Sequence, residues 1–169
     1  MPICEVKLLF KNETEPVVLR DIDLIKNIPL IVRTIEIQNP DWETEDTVIE
    51  DVLEITSFKK ESAQFIFEYI RTYVLPDNVQ EATVEVNYNE AGAKSLDELK
   101  EIIELASFLE CTDFMQCIGF VIAKKLESMN MEETAAFFGV EYNERGNFFD
   151  QADGWIHPPA DVFQRNSRY

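Results

Sequence analysis

The stretch LDELKEIIELASFLECTDFMQCIGFVIAKKLESM, residues 96–129, constrains the fold more than any other part of this chain. It carries two apolar helical patterns in succession, with little more than ECTD between them. Leu99, Ile102, Ile103, Ala106 and Leu109 recur at three- and four-residue steps and make one face of a first helix. Leu105 and Phe108 widen that face, which predicts burial on more than one side. Thr112 and Asp113 are cap-forming residues, so the chain is expected to turn there and start a second helix. That helix carries Phe114, Met115, Cys117, Ile118, Val121, Ile122 and Leu126, with Gly119 in its middle. A mid-helix glycine costs about 1 kcal/mol against alanine, which raises the question of what packs closely there.

Local signals bracket this pair. Ser95 with Glu98 three residues later is a capping box, and Asn130 with Glu133 repeats the logic for a third helix. Gly139 suits the position after a helix, with Val140 as its hydrophobic follower. Upstream, ICEVKLLFK alternates as a half-buried strand: Cys4, Val6, Leu8 and Phe10 face one way, Glu5 and Lys7 the other. PVVLR is expected to return as the second strand of a hairpin. Asp21 or Asp23 is placed to cap a short helix, and Pro29 suits the first turn of another over PLIVRTIEIQ. Asn39 and Pro40 end it, and NPDWETEDTVIED reads as a solvated acidic loop. VIEDVLEIT is a candidate third strand. SFKKESAQFIFEYIRTYVL is helical, closed by Pro76. Residues 77–94 are polar and read as loop, with ATVEVNY as a candidate short edge strand. Pro158 and Pro159 prevent a long helix in the tail. The order implies an α+β domain, a small β-sheet with helices packed on it.

Composition narrows the function. Fifteen basic residues stand against 33 acidic ones, for a net charge of −18. Such a field repels phosphate backbones and anionic lipid, so neither nucleic acid nor a membrane surface is an expected partner. It suits solubility or a basic protein partner. No long uncharged run is present to span a membrane, and no leader pattern follows Met1. Cys4, Cys111 and Cys117 lack a paired C-x-x-C spacing, which points to reduced thiols in the cytoplasm or nucleus rather than disulfides or zinc. Glu110 beside Cys111 raises that thiol's pKa. The single histidine, His157, lies among the tail prolines, and the five glycines make no phosphate-binding loop. Glu43 and Glu45 lie in the acidic loop, where solvation is the default and weak divalent-ion binding the alternative. Trp155 is either a docking anchor or a core residue. No catalytic constellation, metal site or cofactor motif emerges, so an enzyme using its carboxylates is the weakest of three readings.

At LASFLECTDFMQCIGFVIAKKLESMNMEETAAFFGV the chain resembles the Skp family, the adaptors of SCF ubiquitin ligases that join an F-box protein to a cullin scaffold. The family pattern is a helix ending in Ala-Asn-Tyr-Leu-Asp, a second apolar helix, then Thr-Pro-Glu-Glu-Ile opening a third. Ala106, Leu109, Ala123, Glu132, Glu133 and Phe138 fall into step with it without a gap. Upstream, the order of elements and the acidic loop resemble the family's BTB/POZ fold. The resemblance implies a BTB/POZ-like domain over residues 1–110, F-box-binding helices over 111–141 and a divergent tail over 142–169. It implies an F-box groove at Ile103, Met115, Gly119, Ile122, Leu126 and Val140, where the glycine lets a partner helix approach. It places the cullin-facing position at Ser107 and Phe108. The chain departs from the pattern there, with Ser-Phe for Asn-Tyr, and also at Lys100, which stands for a large apolar residue, and at Met131, which stands for proline. DGWIHPP replaces the family's final charged helix. The expectation is a non-catalytic adaptor of the cytoplasm and nucleus. Its rival is a self-associating protein on the same fold, a homodimer that has lost the cullin.

Overall fold

Alternation makes the first strand. In a computed structural model that describes residues 2–76 and 82–142, and the backbone of 149–150 and 155–156, β1 (Cys4–Phe10) buries every second residue. Cys4, Val6, Leu8 and Phe10 are all in the core. A turn through Asn12, at φ 61°, reverses the chain; asparagine is among the residues that tolerate this left-handed backbone. β2 (Val17–Leu19) then pairs antiparallel to β1, with Val6 opposite Leu19 and Leu8 opposite Val17.

β3 (Thr47–Ile55) lies on the other side of β1 and runs parallel to it, giving the order β2-β1-β3. A parallel pair needs a long crossover. Here it carries α1 (Ile22–Ile25) and α2 (Pro29–Gln38). The Asp21 carboxylate accepts from the Leu24 N–H at 3.0 Å and so caps α1. Pro29 opens α2, where its missing N–H costs nothing. Ile28, Ile31 and Ile35 bury the inner side of that helix. The acidic loop that follows is anchored rather than simply solvated. Trp42 is 1% exposed, and Lys26 lies over its ring while pairing with Glu43 at 2.6 Å.

α3 (Lys60–Tyr69) is shorter than its apolar pattern. After Tyr69 the chain tightens, with the N–H groups of Thr72 and Tyr73 both donating to the Tyr69 carbonyl. The aromatic row continues without the helix: the Tyr73 ring stacks on Phe114, centroids 5.7 Å apart. The candidate edge strand at ATVEVNY is instead helical, as α4 (Val84–Asn87), followed by α5 (Asn89–Gly92). Tertiary contacts override the β-branched composition. Tyr88 is fully buried and its hydroxyl donates to the Val74 carbonyl at 2.7 Å, while the Tyr73 hydroxyl accepts the Ala91 N–H. A Cβ at Gly92 would lie 2.6 Å from Val84 Cγ1, so any larger residue there makes the Val84 side chain shift.

α6 (Leu96–Phe108) opens on the expected capping box, with both reciprocal bonds formed between Ser95 and Glu98. It packs on α3 and on α7 (Thr112–Glu127). Between α6 and α7 the chain turns at Glu110, not at a cap formed by Thr112 or Asp113. Glu110 adopts φ 64°, and the N–H groups of Glu110 and Cys111 donate back to the carbonyls of Ser107 and Ala106. That is a Schellman closure without glycine. α7 starts at once at Thr112, and no side chain caps it.

The chain is a mixed α+β protein and divides into two compact units, Met1–Ser128 and Met129–Tyr169. The second holds α8 (Met131–Phe137) and a ribbon of β4 (Phe149–Asp150) and β5 (Trp155–Ile156). Asn130 and Glu133 form the second capping box. Gly139, at φ 68°, ends α8, with Gly139 and Val140 donating to the carbonyls of Ala136 and Ala135. His157, Pro158 and Pro159 lie outside the described residues, as do residues 77–81 and the side chain of Trp155.

Candidate functional site

α7 answers the question raised by its own sequence. Phe114, Cys117, Ile118 and Val121 are buried against the rest of the first unit. Met115, Gly119, Ile122 and Leu126, at steps of four, three and four, make a second stripe. Met115, Gly119 and Leu126 are only half-buried, and Ile122 is at the margin of burial with 9% exposed. The helix is therefore apolar on an inner face and on an outer one.

α6 completes this outer face. Ile103 is half-buried, and its Cδ1 lies 3.8 Å from the place a Cβ on Gly119 would occupy. That is ordinary contact distance, so the glycine sits beside Ile103 with room for one methyl group. Lys100, one turn earlier on α6, is exposed. The structure thus brings Ile103 together with Gly119 and sets Met115, Ile122 and Leu126 on the same stripe of α7.

Val140 belongs to the second unit, where it is 59% exposed directly after the glycine that ends α8. It lines an open, mostly apolar hollow of about 400 Å³ with Met131, Phe138 and Tyr142. These three are exposed as well. The family resemblance points to Val140 alone in this unit. The missed signal is that α8 has apolar residues at its start and end, Met131 and Phe138, yet buries none of its own side chains.

Ser107 and Phe108 sit at the last turn of α6, both exposed. The Phe108 ring is 5.8 Å from that of Phe58, which precedes α3, so the pair forms an aromatic patch that periodicity within α6 alone does not reveal. Near the other side of the α6–α7 turn, an open cleft of about 710 Å³ is lined by Lys26, Arg71, Glu110 and Asp113 among others. Its charges are mixed and mostly engaged. Lys26 pairs with Glu43, Arg71 with Asp21 and Glu110 with Arg33.

The thiols are buried. Burial, and then the neighbouring Glu110 carboxylate, pushes the Cys111 thiol up to about 12. The expected role of Glu110 is therefore present but secondary to desolvation. Burial also raises the Cys4 and Cys117 thiols and the Tyr73 and Tyr88 phenols. Among the described residues no group of three or more His, Cys, Asp and Glu side chains is placed to hold a metal ion. No helix among them is long and apolar enough to cross a membrane. What the surface offers is contact area: one apolar stripe on α6 and α7, one apolar hollow on α8, and an aromatic pair at the end of α6. No protein-family model matches this chain, and no curated protein matches it either.

Proposed function

We propose that this chain is a Skp-like adaptor of an SCF-type ubiquitin ligase, bridging an F-box substrate receptor to a cullin and leaving catalysis to its partners. On this reading residues 1–110 are a BTB/POZ-type domain and 111–141 carry the F-box-binding helices. The protein works in the cytoplasm and nucleus. The observation that carries the proposal is the second apolar stripe of α7, in which Met115, Gly119 and Leu126 are left half-open around the buried Ile122, beside Ile103 on α6. A helix buried on one side only does not need that stripe. Support for the BTB/POZ assignment comes from the element order: strand, strand, two helices, an acidic segment, a third strand, α3, the two short helices α4 and α5, then the α6–α7 pair. Phe108 keeps an aromatic body at the proposed cullin contact, while Ser107 removes an amide.

The test is co-expression with an F-box protein and a cullin N-terminal domain, read by size-exclusion chromatography with light scattering. Ile122 is too buried to probe binding alone, since a charge there also unfolds the helix pair. Met115→Glu and Leu126→Glu alter the half-open positions instead. The expected result is a 1:1:1 complex with the native chain and loss of the F-box protein with either variant. F-box capture unchanged in both variants overturns the groove. A native chain that binds neither partner and elutes as a homodimer replaces the adaptor reading with a self-associating one.

A further inference from the structure

The order β2-β1-β3 leaves β3 with one edge paired to β1 and no strand on the other among the described residues. A nine-residue strand with a free edge is a template for another chain, and proteins ordinarily blunt such edges with bulges and charges. β3 shows both devices, though they cover it unevenly. Between the pairs Glu5–Val48 and Lys7–Val52, a single β1 residue, Val6, faces Ile49, Glu50 and Asp51, so the strand is bulged in its first half. From Val52 to Ile55 the ladder is regular, each residue opposite one of β1 from Lys7 to Phe10. Among the described residues no strand pairs with the outer edge of this straight half.

Its side chains say what fits. Val48 and Val52 are 47% and 40% exposed, so the strip along the edge is apolar in part. Asp51 and Glu54 are exposed and make no ion pair among the described residues, whereas Glu50 is taken by Lys7 at 3.1 Å. Directly opposed like charges destabilise a strand pair and opposed unlike charges stabilise it. A second copy of this chain would bring its own Asp51 and Glu54 to the same edge, and the net charge of −18 opposes the approach. An extended segment that alternates β-branched and basic residues meets neither obstacle. Val52 and Glu54 share the outer face of this half, so the lysines of such a segment pair with Glu54 and lay their methylene stems on Val52, while its valines continue the inner face of Leu53 and Ile55.

We propose that the outer edge of β3 over residues 52–55 accepts a basic, extended segment of another protein by strand addition. This edge uses none of the residues of the α6–α7 stripe and does not depend on the adaptor reading. The probe is a capped ten-residue peptide alternating Val and Lys, titrated against the full-length chain by fluorescence anisotropy. Amide hydrogen exchange reads where it binds. The control has the same charge with its two central valines changed to proline, which blocks a strand. Expected are slowed exchange among the amides of residues 52–55 and at least tenfold weaker binding of the control. The double variant Asp51→Lys, Glu54→Lys should lose at least tenfold for the Val-Lys peptide and gain affinity for a Val-Glu peptide. Both changed residues are exposed, so the fold is retained. Equal binding of the proline control, protection confined to other segments, or no binding at all each overturns the proposal.

Discussion

Gly119 concentrates the argument at the scale of one residue. In the middle of α7 it lacks the helix propensity of alanine, worth about 1 kcal/mol. The space beside it accepts a methyl group, since a Cβ would meet Ile103 Cδ1 at 3.8 Å. Gly119→Ala is therefore expected to stabilise the chain by about 1 kcal/mol, measured as a higher urea midpoint. If the α7 stripe holds a partner helix, the same change crowds that approach and weakens F-box capture, so stability and binding move in opposite directions. Glu110 makes a contrasting case. It occupies the left-handed region where glycine is common, and it holds the α6–α7 turn through backbone bonds while its carboxylate pairs with Arg33 across 77 positions of sequence.

At the scale of the element, caps make the clearest prediction. The Glu98 carboxylate accepts the Ser95 N–H at 2.9 Å and its hydroxyl at 2.8 Å, with Lys94 close by, and these contacts hold its pKa down at about 2. A depressed carboxylate contributes stability above its unfolded pKa, near 4.5, and loses it as pH falls towards the folded value. The stability difference between the native chain and Glu98→Gln should accordingly be constant above about pH 4.5 and vanish towards about pH 2. Ser95→Ala should cost about 1 kcal/mol at neutral pH. Thermal melts from pH 2 to 7 check both.

Elements like this were legible because their information is local. Both capping boxes, Asp21, Pro29 and Gly139 act within four residues of themselves, and each took the role its sequence implied. Tyr88 and Trp42 were not legible, because what buries them is distant in sequence. Tyr88 turns a β-branched stretch into helix by reaching Val74, and Trp42 draws an acidic loop onto the core. The site divides in the same way. The α7 stripe follows from helical spacing, whereas the Phe58–Phe108 pair joins two separate elements and needed the fold to appear.

At the scale of the whole molecule, charge dominates. Thirty-three carboxylates against 15 cations repel one another in the folded chain, and many of the ion pairs are exposed. Exposed pairs contribute little, so screening the repulsion outweighs weakening them. The melting temperature should rise as sodium chloride increases from about 10 to 150 mM, where the screening length falls from roughly 30 to 8 Å. A fall instead would mean that the surface pairs outweigh the net charge.

The parallel pairing of β1 with β3 also bears on how the chain is made. β1 is synthesised first, yet Cys4 meets its neighbour only at Thr47, after α1 and α2 have formed the crossover. Among the described residues, β2 is the only sheet partner available to β1 until then. The α6–α7 pair, by contrast, closes over a short turn between adjacent elements. Contacts distant in sequence form slowly because loop closure precedes their reward. A nascent chain that ends before residue 47 therefore carries β1 with one edge still without its partner strand, and that edge is satisfied only once β3 has been made.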